Sequence, residues 1–118
     1  MSETEKQKSP HGRLIVGGLY LLAEEDGTFG VLKILAVDRG GVHLRLYANH
    51  YKRKPKDLNP AVLRLSRDGW LDGSSYGHLP VGKESFRRWP IEFVRQESVS
   101  EEELEGYQIW KEEGGGYF

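Results

Sequence analysis

The sequence predicts a single α+β, β-rich domain: a twisted antiparallel sheet, or an SH3-like half-open barrel, of about five to six strands with a C-terminal helix and one short internal helix. Three observations predict it. First, residues 17–51 hold three apolar runs separated by Glu25-Asp26-Gly27-Thr28 and Asp38-Arg39-Gly40-Gly41. Asp-Gly and Gly-Gly between apolar runs signal hairpins, because such turns need φ > 0 and glycine adopts it without steric cost. Second, the third run alternates strictly, with Val42, Leu44 and Leu46 on one face and His43, Arg45, Tyr47, Asn49 and Tyr51 on the other. Third, Ser100-Glu101-Glu102-Glu103 carries the signature of a helix start.

Taken in order, residues 1–12 read as a disordered tail, being polar with no periodic apolar face. The domain spans 13–113. Its first strand is expected over about 13–24, bent at Gly17-Gly18, since glycine within a strand pattern marks a bulge or sharp bend. The second, about 28–37, contains the near-continuous apolar run around Val31 to Val37 and reads as a central strand covered on both faces. The third covers about 42–48. A polar loop over 49–60 with prolines at 55 and 60 leads to a short strand at 61–65, then to a turn-rich stretch with two Asp-Gly pairs around Trp70-Leu71. A short helix over 82–89 stops at Pro90, and 91–95 reads as another strand. The last helix has Ser100 as cap, Glu103 reaching back, Val99 and Leu104 as a hydrophobic staple, and glutamates at its positive end. Leu104, Tyr107 and Trp110 share one of its faces. Gly106 weakens this helix by roughly 1 kcal/mol relative to alanine. Residues 114–118 form a C-terminal Gly-rich tail.

Composition bounds the function classes. At 118 residues, with 37% apolar and 11% aromatic content, the chain supports one real core. It has no cysteine, so disulfides and thiolate chemistry are excluded. No apolar run approaches the ~20 residues of a membrane span, and the polar N-terminus lacks the apolar centre of a signal peptide. A cytoplasmic location is the expectation. Net charge is −1, yet residues 43–67 carry seven Lys/Arg against one acid and residues 97–113 carry seven Glu against one Lys. Such a layout can steer a charged partner.

Catalytic signatures are weak. Gly73-Ser74-Ser75-Tyr76-Gly77 matches the G-x-S-x-G pattern, but in a turn-rich loop of a chain too short for the α/β sheet that makes this serine a nucleophile. It reads as a glycine-serine turn. The histidines at 11, 43, 50 and 78 have no metal-ligand spacing, so no metal and no cofactor are expected. His43 is expected at the surface, and His78 as the anchor of a loop. An enzyme would require a concave pocket combining His43 or His78 with a perturbed carboxylate.

The strongest functional lead is the alternating row that runs into a basic loop: His43, Arg45, Tyr47, Asn49, Tyr51, Lys52, Arg53, Lys54 and Lys56. Tyr and Arg are favoured anchors of protein interfaces. They also suit base stacking and phosphate neutralisation, so the alternative is an SH3-like barrel binding RNA or single-stranded DNA. A pI near 6.4 argues against a dedicated nucleic-acid binder.

The segments Gly18-Leu19-Tyr20, Asp26-Gly27-Thr28-Phe29-Gly30-Val31-Leu32-Lys33-Ile34-Leu35 and Val42-His43-Leu44-Arg45-Leu46-Tyr47 resemble the opening of small bacterial β-rich immunity proteins of polymorphic toxin systems, loosely of the immunity protein 26 type. Gly77-His78-Leu79-Pro80 with Phe86 and Trp89, and Glu102-Glu103-Leu104-Glu105-Gly106-Tyr107 with Trp110, are similar to the same group. The resemblance implies a compact, non-enzymatic protein that binds and neutralises a cognate toxin. It carries over no individual functional residue, because such proteins bind through surfaces specific to each toxin.

Overall fold

Two hairpins set the register of the sheet in the computed structural model, which describes residues 14–118. The expected tail at 1–12 lies outside the described residues. Strands β1 (Gly18–Ala23) and β2 (Phe29–Val37) pair antiparallel, with Tyr20 opposite Leu32. Their turn closes on Asp26, whose Oδ1 accepts from the Thr28 amide at 2.9 Å and the Thr28 hydroxyl at 2.6 Å. Gly27 takes φ +87°, as the hairpin signal requires. Strand β3 (Gly41–Tyr51) follows a turn in which Asp38 Oδ1 accepts from the amides of Gly40 and Gly41 at 3.0 and 3.2 Å.

That second turn departs from expectation in its use of glycine. Neither Gly40 nor Gly41 has positive φ. Both are small because the Tyr117 ring lies on them: a Cβ at either would sit 2.6 Å from its ring atoms.

Strand β4 (Tyr76–Gly82) pairs with β3, and β5 (Ile91–Gln96) pairs with β1, giving one antiparallel sheet in the order β4-β3-β2-β1-β5. The sheet stays open, with β4 and β5 as its edges. Pro80 lacks an N–H and fits an edge strand. The bulge between β1 and β5 beside Leu19 and Tyr20 twists the other edge. The strand expected at 61–65 is instead a 3-10 turn, Pro60–Val62, followed by extended chain. Asn59 caps the turn through the Ala61 amide at 3.0 Å, and Pro60 begins it.

Both faces of the sheet are covered, as the apolar run of β2 predicts: Val31, Leu32, Ile34 and Leu35 are at most 2% exposed. One face carries Tyr20, Leu32, Ile34, Val42, Leu44 and Val81. Phe86 of the short helix α2 (Lys83–Phe86) joins that cluster, with Trp89 packed against it. The opposite face carries Leu19, Leu21, Val31 and Tyr47, with Leu58 of the β3 to β4 crossover laid over them. Within the crossover, one helical turn α1 (Gly69–Asp72) is capped by Gly73 in the left-handed region.

Lys33 interrupts the apolar run of β2. Its ammonium donates to the Ser98 carbonyl at 2.6 Å and to both Glu103 oxygens at 3.1 and 2.9 Å. Glu103 also closes the expected capping box: its Oε1 accepts from the Ser100 amide at 2.8 Å, and its own amide donates to Ser100 Oγ at 3.1 Å. Burial works to raise the Glu103 pKa, but the Ser100 amide and the Lys33 ammonium outweigh it, so the carboxyl titrates below its usual range. One carboxylate thereby joins the start of the C-terminal segment to the central strand. The regular helix α3 (Glu105–Glu112) begins after a further turn at 101–104. Among the described residues, no helix is long and apolar enough to cross a membrane.

Candidate functional site

The nine residues of the expected contact row fall into three groups. His43, Tyr47 and Asn49 are buried, at 0%, 7% and 7% exposure. Arg45 and Tyr51 are half-buried, while Lys52, Arg53, Lys54 and Lys56 are exposed. The expectation that His43 lies at the surface is therefore corrected, and with it the reading of the row as one open face. Strand alternation separates two faces but does not reveal a second covering layer. Here that layer is the crossover at one end of β3 and α3 at the other.

Each buried member has a structural partner. Asn49 acts as an extra backbone link: its Nδ2 donates to the Val62 carbonyl at 2.9 Å and its Oδ1 accepts from the Arg64 amide at 2.9 Å, tying the crossover to β3. Tyr47 sits in the apolar cluster under Leu58. Its phenol is pushed up to about 12 by burial and by the negative charge of Glu103, with Arg45 opposing. Arg45 Nε donates to the Gly77 carbonyl at 3.2 Å.

His43 belongs to a polar cluster that sequence spacing does not reveal. Its Nε2 lies 3.0 Å from Asp38 Oδ2 and 2.8 Å from the Tyr117 hydroxyl, and its Nδ1 lies 2.9 Å from His78 Nε2. The Tyr117 hydroxyl also donates to Asp38 Oδ1. The two imidazole planes are nearly parallel, at an interplanar angle of 5°, with the rings meeting through these nitrogens. Tyr107 and Trp110 of α3 close over His43, with ring centroids 4.3 and 4.5 Å away. Leu104, Tyr107 and Trp110 were expected to place one helix face on the sheet; the two aromatic members meet a histidine pair there. Gly106 permits the close approach, since a Cβ would lie 2.6 Å from His78 Cβ. His78 therefore anchors a strand-to-strand and strand-to-helix junction, not a loop.

The electrostatics follow from the acceptor-only carboxylate. Asp38 accepts a hydrogen bond from His43 Nε2–H, so His43 Nδ1 accepts from His78 Nε2–H. Burial lowers the His43 pKa, and Asp38 only partly offsets it. His78 is held at about 4, first by burial and then by the neighbouring His43 charge. Burial acts to raise Asp38, but the Tyr117 hydroxyl, His43 and the two glycine amides bring it below its usual value. The arrangement aligns a carboxylate and two imidazoles. It orders them against α3 and the chain end, and His43 has no exposed surface.

The expected Gly-rich tail is part of this cluster. Trp110 Nε1 donates to the Gly116 carbonyl at 2.9 Å. The Phe118 amide donates to the Pro80 carbonyl at 3.0 Å, and the Gly82 amide donates to the Phe118 carbonyl at 2.9 Å. Ser75 lies elsewhere and is 2% exposed; its Oγ accepts from the Ser66 amide at 2.8 Å. That hydroxyl staples a loop. Among the described residues, no group of three or more His, Asp or Glu side chains is placed to hold a metal ion.

The open surface has a different character. Trp70 and Leu71 of α1 are 65% and 66% exposed, and Val62 and Leu65 of the same crossover are also exposed. Arg64 and Arg67 lie among them in the chain, and Lys52, Arg53 and Lys56 at the start of the crossover form no ion pair among the described residues. Lys54 pairs with Glu92 at 2.9 Å, both more than half exposed. The acidic residue anchored from the α3 segment, Glu103, is committed to Lys33. Comparison with protein-family models, with curated proteins and with solved structures finds no match to this chain.

Proposed function

We propose that this chain is a non-enzymatic protein-binding module whose contact surface is the β3 to β4 crossover, residues 52–71. The single observation that carries the reading is the exposure of Trp70 and Leu71 on a short, tied-down helix in a cation-rich segment. Trp and Arg dominate the energetics of protein interfaces, and an exposed apolar group rimmed by charge is the usual form of such a surface. The crossover is ordered before any partner arrives. Asn49 ties it to β3, Ser75 to the Ser66 amide, and Gly73 ends α1 through a bond from its own amide to the Gly69 carbonyl. An ordered anchor reduces the entropy lost on binding.

The charge pattern favours an acidic partner surface. Together with the sequence resemblance, it supports a toxin-neutralising role in which the crossover occludes a cognate toxin. The nucleic-acid alternative draws less support from Tyr47, which is buried, and from Tyr51, which is half-buried against the second cluster. Co-expression with the protein encoded by the adjacent gene tests the reading. Protection and a purified complex are expected from the wild type, and loss of both from a variant with Lys52, Arg53 and Lys56 each changed to Glu. Absence of protection and of any complex with the wild type would sink the toxin reading.

A further inference from the structure

The histidine pair and the chain end form a unit that the binding surface does not use. Residues 114–118 leave α3 through Gly114, at φ +64°, and cross Gly115 and Gly116 before Tyr117 seats on the Asp38 turn. They are held at three points: Gly116 by Trp110, Tyr117 by Asp38 and His43, and Phe118 by the edge of β4. Phe118 thus covers the outer edge of β4 at Pro80 and Gly82, where it supplies the backbone partner that a neighbouring strand would give.

The weak point of this attachment is the proton count between the imidazoles. Only one hydrogen fits between His43 Nδ1 and His78 Nε2 at 2.9 Å. With both rings neutral, His78 donates and His43 accepts. A first added proton is tolerated, because His43 can become an imidazolium beside Asp38 while His78 turns acceptor through its other tautomer. A second proton leaves two N–H groups facing each other, with two positive charges in adjoining rings beside Tyr107 and Trp110. Among the described residues, Asp38 is the one carboxylate within ion-pair distance of the pair. Glu103 ahead of α3 is engaged with Lys33 of β2, Arg45 of β3 bonds the Gly77 carbonyl, and Lys111 of α3 lies over the Tyr107 ring.

We propose that residues 114–118 are a releasable strap latched through Asp38, His43, His78 and Tyr117, and that placing protons on both histidines opens it. Opening frees the β4 edge at Pro80 and Gly82 and uncovers Asp38. The lowered pKa values of both histidines agree with this order of events, since the folded pair resists protons that the free side chains accept.

Amide exchange by NMR, corrected for intrinsic rates and followed from pH 7 to pH 4, tests the strap. The Gly82 and Phe118 amides are expected to lose protection between about pH 6 and 4, while those of Leu32 and Ile34 on β2 stay protected. In His78→Gln, which keeps an N–H donor but cannot titrate, the midpoint should fall by a pH unit or more. An unchanged midpoint in that variant would overturn the proposal. So would strap amides that stay protected to pH 4, or that open only together with β2. Imidazole nitrogen shifts in the wild type give a second reading that needs no variant. One histidine should titrate well below the other, in step with the release of Phe118; joint titration of both near pH 6.5 with the strap in place contradicts the latch.

Discussion

Replacing Lys33 by Met removes the one cation that pairs with Glu103 among the described residues, where the two side chains are 7% and 13% exposed. Breaking a buried pair from one side costs about 3–5 kcal/mol, because the surviving charge is left without its partner. Glu103 keeps two bonds from Ser100, so Lys33→Met belongs at the lower end, about 3 kcal/mol. Glu103→Leu strands a buried ammonium and also removes a capping acceptor that is typically worth ~1 kcal/mol, so about 4 kcal/mol is expected. The double variant places two apolar side chains together and loses mainly the cap and the partner of the Ser98 carbonyl, at about 2 kcal/mol. These values imply a coupling of about 5 kcal/mol between the sites, far above a surface pair. Urea denaturation of the four proteins at pH 7 measures it, with a constant m-value as the check on two-state behaviour. A coupling below about 0.5 kcal/mol would refute the reasoning, since it would mean the pair is solvated and does not fasten the C-terminal segment to β2.

Three further predictions test other parts of the fold. Gly106→Ala should destabilise by about 1–3 kcal/mol in denaturant melts, although alanine is favoured in helices, because its Cβ meets His78. Ser75→Ala should cost about 1 kcal/mol by removing the buried hydroxyl that accepts from the Ser66 amide, again read by denaturation. Global stability should fall as pH drops from about 6.5 towards 4. The sign follows from the direction of the shifts: with folded histidine pKa values below the unfolded value, the unfolded chain binds more protons on acidification, so the full contribution is present above about 6.5. Stability flat over that window, or rising with acid, would contradict the environment assigned to His43 and His78.

Local chemistry made much of the fold legible. Asp26-Gly27 closes its hairpin with the expected positive φ, the apolar run of β2 lies in the doubly covered centre, and Ser100 and Glu103 form the expected box. Strand β4 was not legible. Tyr76-Gly77-His78-Leu79-Pro80 has no apolar alternation and carries two residues that disfavour strands, tolerated here because β4 is an edge. The strand part of the contact row, His43 to Tyr51, was read as an open face but is largely covered, because cover by residues 52–66 and by α3 is a tertiary fact. The polar cluster joins positions 38, 43, 78 and 117, which share no periodicity. The available hint was His43 itself, a histidine on a strand beside an Asp turn, together with aromatic residues on one face of a helix interrupted by Gly106. The three glycines before Tyr117 read as a tail because composition predicts mobility of backbone, while the anchor is a single side chain beyond them.

The most direct test of the proposed binding surface is the affinity of the proposed partner, the protein encoded by the adjacent gene, for a Trp70→Ala, Leu71→Ser double variant, measured by calorimetry beside the wild type and a Phe93→Ser control on the opposite sheet edge. Trp70 and Leu71 are about two-thirds exposed, so the double variant should stay within roughly 1 kcal/mol of the wild type. Phe93→Ser also gives up an edge-on contact with Tyr20, and its affinity is read under conditions where it is shown to be folded. The crossover account predicts a loss of at least ~30-fold in affinity for the double variant, corresponding to about 2 kcal/mol at an interface anchor, and no change for the control. Wild-type affinity in the double variant, or a loss confined to Phe93→Ser, would place the contact elsewhere and contradict the account.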